Sequence, residues 1–458
     1  MSARFAASRL WSHIIAASRT CGFLRWRAAA LVLCGMLAMP LATPPGSADA
    51  QSAKLETAYV VLGADGAIAR AILSDATECP MIDIGGAAER MSIRARPDAA
   101  FPVHVCETPI PPGTTSAAIE GRVLPLPKPA IATIATFGDT GCRLKAGGDV
   151  GKSRRHHDYP AAGEFQDCDS SSQWPFARLS AAVAAQKPDL VIHVGDYIYR
   201  ESPCPAGDQS CKGSPFGDDW RTWQADFFQP AAPLLAAAPW IMVRGNHESC
   251  ARAGLGYFRF LYPEPARDHA PPTCTNLLAP YTVDLGGKAF LVIDSSNAED
   301  ACPNNACDSA PYAAEFARLT PKPGTWLLSH RPIWAIGQKF KLNQTLEQAV
   351  AASGGRLPHG IELVLSGHLH IFELLSFIDE RPPQLVVGSG GTELDKKINR
   401  ALDGTAIGDA TVRHGRSEHR FGFLMITPQP GGSTATFFSP EGKPRFKCAL
   451  TSTSVRCD

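Results

Sequence analysis

Five short apolar runs in this chain each stop at residues able to bind a metal ion. Ile131 to Phe137 leads into Gly138-Asp139-Thr140-Gly141, and Leu190 to Val194 into Gly195-Asp196-Tyr197-Ile198-Tyr199. Trp240 to Val243 leads into Arg244-Gly245-Asn246-His247-Glu248, Trp326 to Leu328 into Ser329-His330-Arg331, and Ile361 to Leu365 into Ser366-Gly367-His368-Leu369-His370. Such a run is a buried strand, and the glycine beside it a turn. Taken singly, each Gly-Asp or Gly-Asn-His is an ordinary turn, because Asp and Asn close turns through their own side chains. Independent turns do not repeatedly place Asp, Asp, Tyr, Asn and His at the carboxyl ends of strands, where α/β proteins assemble their sites. The series predicts a site for two metal ions.

Alternating strands and helices position these ends. An Ala-rich helix over Trp174 to Ala185 separates the first two strands, making a β-α-β unit, and a second over Trp220 to Ala238 feeds the third. Tyr281 to Leu285 and Ala289 to Asp294 form a hairpin about Gly286-Gly287, followed by a helix over Pro311 to Leu319. Ile371 to Phe377, Gln384 to Val387, Phe423 to Ile426 and Ala435 to Phe438 make the last part mostly β. Upstream, residues 51–128 hold short apolar pieces separated by Gly, Asp and Pro, the pattern of a small β-sandwich without chemistry of its own. Pro125, Pro127 and Pro129 mark a stiff linker, so residues 129–458 are expected to be the catalytic domain.

Composition is that of a globular chain: 458 residues, 45% hydrophobic and 19% charged. Residues 1–50 are set apart. Arg25, Trp26 and Arg27 precede the apolar run Ala28 to Leu41, and Ala48-Asp49-Ala50 offers a cleavage site, which predicts an export signal and a periplasmic or secreted protein. The run is short of the ~20 residues a membrane span needs, and no later stretch is long enough. The signal takes five Arg and one Asp, leaving 39 basic residues against 43 acidic. That balance offers no polyanion-binding surface, so no nucleic acid partner is expected. Of 14 cysteines, Cys21 and Cys34 leave with the signal. The other 12 suit nearest-neighbour disulfides: Cys79/Cys106, Cys142/Cys168, Cys204/Cys211, Cys250/Cys274, Cys302/Cys307 and Cys448/Cys457.

The ordered set of five blocks resembles the calcineurin-like metallophosphoesterases, and in particular their purple acid phosphatase branch. Most members carry a histidine two places after the first aspartate, where this chain has Gly141. The purple acid phosphatases share that loss and have a tyrosine three residues after the second aspartate, here Tyr199. The resemblance implies an α/β fold, a β-sandwich flanked by helices in four layers, preceded here by the small all-β domain. It also implies that Asp196 bridges two metals, that Asp139, Tyr199 and His370 hold a trivalent ion, and that Asn246, His330 and His368 hold a divalent one. His247 is then no ligand but stabilises the transition state or protonates the leaving group. The implied function is hydrolysis of phosphate monoesters by attack of a metal-bound hydroxide.

Elementary chemistry agrees with that assignment. A phenol with pKa near 10 binds as phenolate only to a cation that strongly favours its charged form, and Fe(III) is the natural choice. In extended backbone, residues i and i+2 point to one side ~7 Å apart, so His368 and His370 can reach two ions ~3.5–4 Å apart. The divalent ion is zinc, manganese or iron, among which these ligands do not decide. A phosphodiesterase or nucleotidase on the same metals, or a binding protein that kept the fold, are the alternative functions. Glu248 orients His247, pairs with Arg244 or is surface charge. His193 is read as a core histidine, and Arg154-Arg155-His156-His157-Asp158 as a solvated charge run or a contact for substrate phosphate. His269, Asn297, Arg331 and His359 are possible substrate contacts, and Gly388-Ser389-Gly390-Gly391-Thr392 a place where backbones approach.

Overall fold

Two β-sheets pack face to face, and the strand ends that carry the predicted ligands come from both. The computed structural model describes residues 54–147, 163–268, 270–271, 273–337 and 342–458; the predicted signal, the Arg154–Asp158 run and His269 lie outside these. In the first sheet Ile134–Phe137, Leu190–His193 and Trp240–Met242 run parallel. In the second, Lys288–Val292, Thr325–Leu328, Ile361–Ser366 and Gln384–Val387 run parallel, and Phe372–Phe377 pairs antiparallel with the last.

Strand alternation explains the layers. Leu190 and Ile192 point inward and share one core with Phe290, Trp326, Leu328, Leu363 and Leu365 of the second sheet. Val191, on the opposite face, packs with Phe176, Leu179 and Val183 of helix Phe176–Ala185 and with Trp223, Phe227 and Leu234. Beyond the second sheet, Leu327 and Val364 meet Tyr312 and Phe316 of helix Ala310–Phe316 and Leu346, Ala349 and Val350 of helix Gln344–Ala352. The order is helices, sheet, sheet, helices, the four layers expected. Helix Gln344–Ala352, which sequence reading missed, starts at Asn343, whose side chain accepts from Leu346 N.

The N-terminal strands correct one expectation. They do not close into a sandwich of their own. Lys54–Gly63 pairs parallel with Trp240–Met242, and Gly66–Ser74, His104–Ile110 and Ser92–Ala95 extend the same sheet to eleven strands. Residues 51–458 form one compact unit. The physical reason lies in two fully buried arginines. Arg70 and Arg94 pair with Glu107, and their guanidiniums donate to the carbonyls of Phe258, Arg259, Phe260 and Tyr262 at the end of helix Gly254–Phe260. Tyr59 Oη donates to Phe260 O as well. A helix end leaves carbonyls without partners, and cations there also suit the helix dipole. Of the N-terminal strands described, Met81–Ile84, Ala87–Arg90, Ala117–Ile119 and Arg122–Val123 form a separate small sheet.

All six expected disulfides are present. Among the described residues no helix is long and apolar enough to cross a membrane.

Candidate metal centre

Three of the predicted ligands sit on strained backbone. Asp139, Asp196 and His368 have φ of 58°, 58° and 72°, a region side chains other than glycine rarely adopt, at a cost of about 1–3 kcal/mol each. The turns lock one another in place. Asp139 N donates to Gly195 O at 2.9 Å and Thr140 N to Asp196 O at 3.0 Å, while His368 N donates to Asp139 Oδ2 at 3.0 Å.

Glu248 closes the lock around Asp196. Its fully buried carboxylate accepts from Asp196 N (3.0 Å), Tyr197 N (2.8 Å), Ile198 N (3.2 Å) and Gly245 N (3.1 Å). Burial and the charge of Asp196 push its carboxyl up to about 8, while the N–H donors favour the charged form. None of the roles expected from sequence applies to its side chain. Arg244 instead pairs with Asp294 at 2.9 Å and packs its other nitrogen on the Cys250–Cys274 sulfurs.

The side chains converge in two groups that share Asp196. Tyr199 Oη lies 3.0 Å from Asp139 Oδ1, 2.8 Å from Asp196 Oδ2 and 2.8 Å from His370 Nε2. On the other side His330 Nε2 lies 3.2 Å from Asp196 Oδ2 and 2.9 Å from Asn246 Oδ1. Asp196, His330 and His368 each offer a ligand atom within 4.8 Å of the others. Two histidines have their second nitrogen fixed: His330 Nδ1 faces Val194 O and His370 Nδ1 faces Glu393 O, each at 2.8 Å. A backbone carbonyl accepts, so Nδ1 carries the proton and Nε2 presents its lone pair to the site.

Electrostatics show that this donor set fits cations. Burial and Asp196 push the Asp139 carboxyl up. Burial, Asp139 and Asp196 push the Tyr199 phenol well up. One phenolic proton can satisfy one acceptor, yet three stand within 3.0 Å of Tyr199 Oη. A cation at their meeting point would turn these crowded lone pairs into ligands.

Tyr197 plays no part in the cluster: its hydroxyl donates to Val243 O and its ring stacks on His193 with centroids 4.0 Å apart. His193 bonds to Thr140 Oγ1 at 2.9 Å and stays in the core, as expected. Gly141 has a steric reason. A Cβ there would stand 2.6 Å from Tyr199 N and 2.8 Å from Tyr197 O. Gly388 is similar, since its Cβ would meet Leu369 O at 2.2 Å and Asp139 Oδ2 at 2.7 Å.

His247 stands at the edge of the cluster, buried, with its N donating to Asp196 Oδ1 at 2.8 Å and its Nε2 3.8 Å from Asp196 Oδ2. Its ring lies 3.8 Å from that of Tyr199. Glu201 Oε1 is 3.2 Å from Nδ1, and Arg252 packs against the ring and pairs with Glu201. Burial, then Arg252, push His247 down to about 3. Of the possible substrate contacts, Asn297 is tied to Asn276 O and Ser296 Oγ. His359 is exposed just before strand Ile361–Ser366, at the end away from the site. Arg331 does reach the cluster, 3.0 Å from His368 Nε2.

Sequence reading missed Asp226, Glu201, Arg252 and Asp300. Asp226 lies in a π-helical turn, Gln224–Phe228, inside what reads as one helix. It accepts from Tyr199 N, Arg200 N and Cys142 N, so it holds the backbone that carries the phenol. A lone buried acid between aromatics, Asp226-Phe227-Phe228, is the sequence signal that could have pointed to it.

The calcineurin-like phosphoesterase pattern matches residues 132–372, more than half of the chain and all five ligand blocks up to His370. The chain belongs to the calcineurin-like phosphoesterases. A search of curated proteins by sequence finds no match. Among solved structures it is similar to PhoD, at 13% identity and a TM-score of 0.51, covering 88% of this chain and 91% of that one. It also matches GAP50, the anchor in the inner membrane complex of Plasmodium, at 13% identity, 70% and 89% coverage and a TM-score of 0.35. A 5'-nucleotidase precursor from Thermus thermophilus matches at 12% identity, 71% and 54% coverage and a TM-score of 0.26. The likeness to PhoD shows the fold; the other two are too distant to add to it. Membership makes this chain a metal-dependent phosphoesterase.

Proposed function

We propose that this metal-dependent phosphoesterase is an exported phosphomonoesterase with a dinuclear centre of Fe(III) and one divalent ion. The observation that carries this reading is the position of Tyr199 Oη, within 3.0 Å of Asp139, Asp196 and His370. Asp139, Tyr199 and His370 would hold the trivalent ion, Asn246, His330 and His368 the divalent one, and Asp196 both. Bound metals would supply polarisation of the phosphoryl group and activation of water. With Asp139, Asp196 and Tyr199 all charged, the pair would keep net positive charge and favour an anionic ester.

The protein's own groups do the rest. The strained turns at Asp139, Asp196 and His368 keep the ligands fixed before any ester arrives. His247 is the group placed to hydrogen-bond the ester or to give a proton to the departing oxygen. Its imidazole is neutral as it stands, and an adjacent phosphate dianion would favour its charged form. The six disulfides support an oxidising destination, periplasmic or extracellular. The substrate is a small phosphate ester, with neither nucleic acid nor membrane as partner.

The visible spectrum and metal content of the purified protein test this reading. A Tyr199 phenolate on Fe(III) gives a charge-transfer band and violet colour, and Tyr199→Phe bleaches it. A colourless, fully active protein holding two divalent ions would overturn the Fe(III) assignment. Comparing an aryl phosphate with a bis-aryl phosphate between pH 4 and 9 tests the monoester preference; faster hydrolysis of the diester would overturn it.

A further inference from the structure

His368 differs from the other two histidines of the cluster. His330 and His370 give Nδ1 to backbone carbonyls and turn Nε2 to the metals' side. In His368 it is Nε2 that is engaged, 2.8 Å from Asp300 Oδ2. Arg331 Nη1 bonds the same carboxylate oxygen and lies 3.0 Å from His368 Nε2. A guanidinium has no acceptor, so it cannot receive a proton from the ring. The carboxylate can receive from both, which makes Nε2–H and Nη1–H two donors on one oxygen. One ring nitrogen of His368 lies within 4.8 Å of ligand atoms of Asp196 and His330, and with Nε2–H given to Asp300 the nitrogen whose lone pair suits a metal is Nδ1.

We propose that Asp300 is a positioning residue for the metal centre: its carboxylate, steadied by Arg331, selects the tautomer of His368 that binds through Nδ1. The inference rests on the dinuclear reading above.

The surroundings of Asp300 are built to hold it. Its second oxygen accepts from Asn343 Nδ2 at 2.8 Å, and the same amide nitrogen donates to Ala298 O at 2.8 Å. Asn343 is itself fixed as the cap of helix Gln344–Ala352. Two residues on, Cys302 forms the short disulfide with Cys307, and Cys302 N donates to Gln344 Oε1 at 2.8 Å. Arg331 follows the ligand His330 directly, and its side chain is almost fully buried. A carboxylate on the outer nitrogen of a metal-bound histidine fixes the ring and raises its basicity, and its loss typically costs about 10–100-fold in metal affinity. Because Asp300 touches His368 and not His370, Tyr199 or Asp139, the loss falls on one ion of the two.

The test is metal retention by Asp300→Asn in the full-length protein. Wild-type and variant are loaded with iron and zinc and dialysed against graded chelator, and metal per chain and the visible band are followed. The expected result is a divalent ion released at about 10–100-fold lower chelator than in wild type, with iron and the Tyr199 band retained. The band also reports that the site is still folded. Asp300→Glu, which keeps the carboxylate that the amide of Asn lacks, should recover part of the affinity. Equal retention of both ions by wild type and Asp300→Asn overturns the proposal, as does parallel loss of both ions. A wild-type protein that never holds two metals sinks the dinuclear reading instead.

Discussion

Glu248 touches four backbone N–H groups at once, and each of them belongs to the turns that carry Asp196 and Asn246. A buried donor left without a partner costs about 1–3 kcal/mol. Glu248→Ala is therefore expected to destabilise the protein by about 3–5 kcal/mol and to lower its capacity for metal. Urea unfolding with metal analysis checks this; a loss under ~1 kcal/mol, the net worth of a single hydrogen bond, would show that the turns hold without it. His247 shows the same dependence from the other side. The side chain that sequence marks as chemical is kept in place by groups that sequence marks as nothing, Glu201 and Arg252. Gly141 is likewise more than a missing histidine, since the tyrosine's own backbone fills the space a side chain would need.

At the scale of elements, strand Phe372–Phe377 carries a feature with a pH signature. Glu373 is fully buried on it, Oε1 accepting from Ile336 N at 2.8 Å and Oε2 without a partner among the described residues. Burial pushes its carboxyl up to about 8, against the N–H of Ile336 and the charge of Arg400. The folded state thus keeps a proton that the unfolded state, with an ordinary pKa near 4.5, releases. Stability from this group is full below about pH 4.5 and is lost as pH rises toward 8, by about 3 kcal/mol at pH 7. Glu373→Gln removes the titration, so its advantage over wild type should grow from pH 5 to pH 7.5 in urea unfolding. Profiles that stay parallel would refute the assignment. The helix Trp220–Trp223 and its π-helical continuation show why element boundaries escaped the sequence. The apolar period runs through Trp220 to Leu235 unbroken, yet the chain takes a π-helical turn at Gln224–Phe228, where Asp226 accepts from three N–H groups of the site loops.

For the whole molecule, the eleven-stranded sheet decides what can be removed. Lys54–Gly63 lies beside Trp240–Met242, and Arg70 and Arg94 satisfy the carbonyls that end helix Gly254–Phe260. That helix follows the loop of Asn246, His247 and Glu248. Deleting residues 51–128 should thus leave no independently folded catalytic domain but an insoluble chain. A truncated protein that is soluble, cooperative in thermal unfolding and metal-loaded would restore the domain boundary expected at the prolines. Four of the six disulfides stand just behind site loops, at Cys142, Cys204, Cys250 and Cys302. They restrain the irregular segments, which have no ladder to hold them.

Residue type and local order were enough to determine a great deal. Strand-ending runs mark the turns, because burial writes an apolar run and a turn writes glycine, and the resemblance picks Asp139, Asp196, Tyr199, Asn246, His330, His368 and His370 out of them; the folded chain brings these side chains together. Cysteine spacing gave the pairings for a similar reason, since short loops close most readily. Two kinds of fact needed the tertiary structure. The first is which strands share a sheet: short β-strands look alike, and their partners are set by contacts distant in sequence, so Lys54–Gly63 could join Trp240–Met242 without any local sign. The second is which polar groups meet. Glu248, Asp226 and Asp300 are ordinary acids in the sequence, and only the folded chain brings to each the donors that give it a role.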